Sequence, residues 1–162
     1  MHFATFHPAV RAWAESALGT PTPPQAAAWP VVREGGHVLV AAPTGSGKTL
    51  AAFLAALDAL VRRADEAPLP DRVQVLYISP LRSLSHDVEK NLQAPLEGID
   101  RERVARGLSP HGIRSAVRTG DTSAKERTAL GKRPPHILVT TPESFYLMLT
   151  SVSGRRMLED VR

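Results

Sequence analysis

Residues 42–49, APTGSGKT, carry the densest chemistry in the chain. Gly45 and Gly47 remove side chains at alternate positions, so the backbone N–H groups around them can turn toward an anion. Thr44 and Ser46 complete a loop of the length that wraps phosphates. Lys48 supplies a mobile cation for the terminal phosphates of a nucleotide, and the Thr49 hydroxyl can ligate Mg2+. These two are the catalytic candidates. Ala42 stands where the general pattern writes glycine. A Gly/Ser-rich turn ahead of Lys-Thr also arises by chance, so the flanks must decide. HVLVA (37–41) reads as a buried β-branched strand that stops at the loop, and LAAFLAALDALVRRA (50–64) as a helix that begins on it. The positive end of that helix adds to the cradle. The loop alone leaves kinases, transporter ATPases, GTPases and helicases open.

The remaining elements are read from periodicity and punctuation. PAVRAWAESAL (8–18) has helical spacing, and PTPPQAAAWPVVREGG (21–36) starts on prolines and ends on a glycine pair. RVQVLYIS (72–79), IRSAVRT (113–119) and HILVTT (136–141) read as three further strands. They alternate with helices in SLSHDVEKNLQAPL (83–96), in TSAKERTAL (122–130), capped by Thr122 or Ser123, and in PESFYLMLTS (142–151), which opens on proline. Residues 97–112 show no clear period and read as a loop or a short helix. Strands alternating with helices at these lengths predict a mostly parallel sheet covered on both faces.

The totals bound the function. At 162 residues with 43% apolar side chains, the chain is long enough for one hydrophobic core. It has no cysteine, which removes zinc fingers, disulfide frameworks and thiol catalysis, and its six histidines are scattered singly. No apolar run is long enough to span a bilayer and the N-terminus lacks a secretory pattern, so a cytoplasmic protein without membrane contact is expected. The net charge of +4 is unevenly placed: residues 1–71 hold 5 Lys/Arg against 6 Asp/Glu, and residues 72–162 hold 15 against 10. Sixteen of the 20 cations are arginine, whose planar fork suits phosphate oxygens.

Read together, FHPAVRAW, PTPPQ, APTGSGKTLAAFLAAL, YISPLRSLSHDVEKNL, RTGDT and TTPES resemble, in that order, the superfamily-two helicases of the DEAD/DEAH type, and within them the large helicase-related (Lhr) family. The resemblance implies an α/β, three-layer RecA-like P-loop domain, incomplete here. Residues 1–35 would be a helical extension with a Q-like motif, and residues 36–162 a truncated first motor domain. It implies ATP and Mg2+ as cofactors. PTPPQ looks like the adenine-reading motif, with the Gln25 amide as donor and acceptor for the base edge; the other reading is an ordinary residue at a helix start. Phe6 would stack on the base, with Phe3 and Trp13 as alternatives.

SPLRSL (79–84) resembles a loop laid along a sugar-phosphate backbone, which makes Pro80 and Arg82 contact candidates. RTGDT contributes Gly120 and Asp121, where glycine permits close backbone approach. TTPES contributes the Thr141 hydroxyl and the helix start at Pro142, which is expected to offer free N–H groups. All three follow predicted strands, at the edge where open parallel sheets place ligands. The partner implied is single-stranded DNA or RNA, or a DNA–RNA hybrid, gripped by its backbone and tracked 3′ to 5′. A second RecA-like domain of the same polypeptide is implied as well. An ATPase also needs a carboxylate on Mg2+. Glu159 and Asp160 precede any apolar strand and read as surface residues, so weak ATP binding and almost no hydrolysis are expected of these residues alone. Two other readings compete: a P-loop phosphotransferase, whose lid candidate is DRERVARG (100–107), and a non-catalytic nucleic-acid-binding module.

Overall fold

The computed structural model describes residues 3–43, 45–80 and 82–161, with the side chains of 82–90 left out. The elements run α1 (Pro8–Leu18), α2 (Pro23–Arg33), α3 (Lys48–Glu66), β1 (Val75–Ile78), α4 (Arg82–Ala105), β2 (Ser115–Arg118), α5 (Ala124–Lys132), β3 (Ile137–Thr140), α6 (Pro142–Thr150) and α7 (Val152–Leu158). They fall into two compact units, Met1–Pro68 with Pro95–His111, and Leu69–Ala94 with Gly112–Arg162.

The first unit is helical. The His7 imidazole caps α1 through Nδ1, and a Thr22–Gln25 capping box opens α2. The stripe Leu54, Leu57, Leu60 and Val61 of α3 is fully buried, together with Val10 and Ala14 of α1 and Ala28 and Trp29 of α2. Its charged seam is paired rather than solvated. Asp58 is buried, accepts from the His7 backbone N–H and pairs with Arg62. Asp65 pairs with His7 Nε2 at 2.8 Å and with the buried Arg103 at 2.6 Å. Such buried groups persist because each has its partner.

The stretch expected as the first strand, residues 37–41, forms no strand, and Leu39 is 94% exposed. A β-branched run becomes a strand only when neighbours take up its backbone hydrogen bonds, and among the described residues it has no ladder. The stretch 97–112 is corrected in the other direction. α4 runs through Pro95 to Ala105, because Leu96, Ile99 and Arg103 recur on one buried side.

The second unit holds the sheet, three parallel strands in the order β1-β3-β2. β3 is central and buried at every position, while β1 and β2 are partly covered. Val73, Leu138, Met148 and Met157 form its core, with Leu76, Leu130 and Phe145 packed around them. The crossover helix α5 and the helix α6 that follows β3 begin on side-chain caps from Ser123 and Thr141. Among the described residues no helix is long and apolar enough to cross a membrane.

Candidate nucleotide and nucleic-acid sites

In the first unit, the loop 42–49 ends where α3 begins, and its backbone has the shape the sequence demands. Gly45 and Gly47 have φ of +82° and +79°, the left-handed region that a side chain resists. Gly47 is the N-cap of α3, so the helix opens on the loop itself. The loop is wired to α2. Thr22 Oγ1 donates to the Ser46 carbonyl at 2.9 Å, and Gln25 Nε2 donates to the Gly47 carbonyl at 3.2 Å. Lys48 Nζ donates back to the Ala42 and Pro43 carbonyls at 2.5 and 2.7 Å. Its charge therefore rests inside the loop, on acceptors that incoming phosphate oxygens would replace. The Ser46 hydroxyl is buried with no hydrogen-bond partner among the described residues. An unmatched buried hydroxyl beside an open glycine cradle fits an anionic ligand.

Thr49 is exposed on the first turn of α3, where its hydroxyl can reach a cation. Among the described residues, no group of three His, Asp or Glu gathers to hold a metal. Thr44 lies outside the described residues.

Gln25 is buried, with its amide engaged at both ends. Oε1 accepts from the Thr22 N–H at 3.0 Å, and Nε2 reaches Gly47. Each end keeps capacity for a further bond, since an amide oxygen has two lone pairs and an NH2 two hydrogens. Sequence reasoning missed this double use, although Thr and Gln at i and i+3 are the capping-box signal. Phe6 is 4% exposed, 5.1 Å from Trp29 in an edge-to-face arrangement. Phe3 is buried in the same cluster, and Trp13 lies against α4 at Gly98.

In the second unit, register brings the predicted contact loops side by side. Ile78 and Arg118 both stand opposite Thr140, so the three strands end level. With adjacent strands about 4.8 Å apart, the loops beginning at Ser79, Thr119 and Thr141 leave within roughly 10 Å of one another. The loop after β2 is held tightly. Thr119 N–H donates to Thr122 Oγ1, Asp121 N–H donates to Thr119 Oγ1, and Arg127 donates to the Gly120 carbonyl at 2.9 Å. Gly120 itself is not in the left-handed region. Beside this loop, Val117, Thr119, Asp121, Thr122 and Arg133 line a cavity of about 530 Å³.

Thr141 is buried, and its hydroxyl accepts from Ser144 N–H as the cap of α6. The expectation of free N–H groups at this helix start needs correction, because Pro142 has none and that of Ser144 is bonded to Thr141. Pro80 and Pro142 are exposed. The side chain of Arg82, at the start of α4, lies outside the described residues. Arg118 was not singled out by the sequence. It ends β2 half-buried, and burial, with Arg127 nearby, pulls its pKa below the usual arginine value. Its place at the end of a strand, ahead of Gly-Asp, was the available signal. The charges divide with the units: 8 Lys/Arg face 8 Asp/Glu in the first, and 12 face 8 in the second. The whole formal excess accompanies the sheet and its loops.

Comparison with known proteins gives the family and the fold. The family model of the DEAD/DEAH box helicases matches residues 22–162. The chain is 51% identical over 158 residues to the Lhr helicase of Mycolicibacterium smegmatis, covering 97% of this chain and 10% of that protein. It is 52% identical over 150 residues to the Lhr helicase/uracil glycosylase of Escherichia coli, covering 90% and 10%. Similarity to the ATP-dependent helicase Lhr-Core of Methanocaldococcus jannaschii is 43% over 153 residues, 94% of this chain and 18% of the other. The chain thus spans between a tenth and a fifth of the length of these relatives. Among solved structures, Mycobacterium smegmatis Lhr bound to ssDNA and AMP-PNP superposes with a TM-score of 0.90 at 48% identity, over 99% of this chain and 20% of that one. The DUF1998 helicase MrfA bound to DNA has a TM-score of 0.77 at 22% identity over 98% and 20%, a likeness of fold alone. The fold is that of a RecA-like helicase domain, mixed α/β around a small parallel sheet.

Proposed function

Because the chain belongs to the DEAD/DEAH box helicase family, we propose that it is the ATP- and nucleic-acid-binding part of the first motor domain of an ATP-dependent helicase. Residues 36–162 would form that domain and residues 1–35 its helical extension. The parent would translocate 3′ to 5′ on a single strand of DNA or RNA, or open a DNA–RNA hybrid, from a cytoplasmic location. Its second RecA-like domain would complete the nucleotide site. The observation that carries the reading is the glycine-opened loop at the start of α3, hydrogen-bonded to Thr22 and Gln25. It is supported by helicase relatives, one of them solved with ssDNA and AMP-PNP.

In this reading Gly45, Ser46, Gly47 and Lys48 hold the triphosphate, Thr44 completes the loop, and Thr49 ligates Mg2+. Bound Mg2+ would neutralise charge developing on the phosphates. Lys48 exchanges its carbonyl partners for phosphate oxygens, which places its charge on the terminal groups only when nucleotide is present. Gln25 and Phe6 read and stack the adenine. Pro80, Arg82, Arg118, Gly120, Asp121, Thr141 and Pro142 follow the strand through its phosphates and sugars, a mode indifferent to base sequence. No acidic pair follows an apolar strand within these 162 residues. The water-activating carboxylate would therefore come from elsewhere in the parent, and these residues alone would bind ATP weakly and hydrolyse almost none.

Replacing Lys48 tests the reading. In the full-length protein, Lys48→Ala is expected to lower ATP-driven unwinding at least about a hundredfold while strand binding persists. Equal unwinding by mutant and parent in a strand-displacement assay would remove Lys48 from the role given to it.

A further inference from the structure

The Arg33 guanidinium stands over the Phe6 ring, with Cζ 5.8 Å from the ring centroid. That separation is attractive but loose. A planar ring held between two surfaces needs two van der Waals spacings, about 7–8 Å in all. The gap would have to open by only roughly 1–2 Å to admit one.

The two sides of the gap differ in freedom. Phe6 is fixed: it is buried against Trp29, whose Nε1 donates to the Ala51 carbonyl at 3.0 Å. The adjacent His7 is tied to Asp58 and Asp65. Arg33 is exposed on the last turn of α2, where its side chain can swing. Gln25, Trp29 and Arg33 follow one another at four-residue intervals, so one side of α2 carries the amide, the buttress and the cation.

We propose that Phe6 and Arg33 are the two walls of a slot for a purine base, with Arg33 closing over the face of the base turned away from Phe6. A guanidinium suits this position because it is planar, always charged and stacks on aromatic faces. The slot rests on the reading of the chain as an ATP-binding motor in which the base lies near Gln25.

The test measures equilibrium binding of two ligands, ATP and inorganic tripolyphosphate, to the full-length protein and its variants. Tripolyphosphate occupies the glycine cradle without a base. Arg33→Ala is expected to weaken ATP binding about three- to thirtyfold and to leave tripolyphosphate within about twofold. Arg33→Lys should restore only part of the loss, since an ammonium does not stack flat. ATP binding at the parental level or tighter in Arg33→Ala overturns the proposal, and so does an equal loss of both ligands. Phe6→Leu separates the two levels of the argument. If it weakens ATP while Arg33→Ala does not, the base site stands and the second wall falls. If neither variant affects ATP, the base site itself has been misplaced.

Discussion

Gly47 has no Cβ where one would collide with the Gln25 amide, and its φ is +79°. Its carbonyl also accepts from both Ala51 N–H and Gln25 Nε2. Gly45 shares the left-handed backbone, but a Cβ there would meet open space. The two glycines are therefore unequal. Gly47→Ala adds displacement of Gln25 to a conformational cost of about 1–2 kcal/mol, whereas Gly45→Ala carries the conformational cost alone. Binding titrations should show ATP weakened more than about tenfold by Gly47→Ala and less by Gly45→Ala; the reverse order would break the proposed link between α2 and the loop. Two buried histidines give a pH dependence of known sign. Burial, followed by the nearby Arg114, holds His136 below its usual 6.5, while its Nδ1 accepts from the Arg114 N–H. Burial likewise lowers His111 against the opposing pull of Asp100. The unfolded chain takes up these protons near pH 6.5 and the folded chain only at lower pH, so stability is held above that value and lost as pH falls through it. The denaturant midpoint should drop between about pH 7.5 and about pH 5.5. A flat profile would contradict the burial of both rings.

Helices here depend on a few contacts that can be removed one at a time. Ser123 Oγ accepts from Glu126 N–H and the Glu126 carboxylate returns to the Ser123 N–H, so Ser123→Ala should cost about 1 kcal/mol in thermal or chemical unfolding. That cap was legible in the sequence, with Thr122 the competing choice. Thr122 is occupied instead by the turn after β2. Gly98→Ala should cost about 1–3 kcal/mol, because an added Cβ would overlap the Trp13 indole. If Gly98→Ala proved neutral, α1 would not pack on α4 as described. The far half of α4 escaped sequence reading for a physical reason. Its buried side includes Arg103, which counts as polar in any periodicity and is buried only because Asp65 and the Ser109 carbonyl receive it. Residues 37–41 erred the other way, since β-branched propensity was read as a strand, yet a strand exists through its neighbours. The turns at Gly45 and Gly47 were legible, because a left-handed backbone is a local demand on glycine. Phe6 and Arg33 meet across 27 positions of sequence, and no local pattern reports such a meeting.

For the molecule as a whole, charge is the most consequential asymmetry, because the second unit carries the entire formal excess of +4. If that unit grips phosphates, affinity for a single strand should fall log-linearly with salt, by about 0.7 per phosphate neutralised. Arg118→Ala in the full-length protein should reduce the slope by about that step without changing preference among base sequences, as read by fluorescence anisotropy over a salt series. An unchanged slope would take Arg118 off the strand. Residues 37–41 bear on handling as much as on chemistry. Val38 and Leu39 stand 43% and 94% exposed on backbone that joins no ladder among the described residues, an apolar ribbon of the kind that pairs with a copy of itself. Concentrated preparations of this 162-residue chain should clump by a route that Leu39→Lys blocks, visible as light scattering that climbs with concentration in the parent and stays level in the variant.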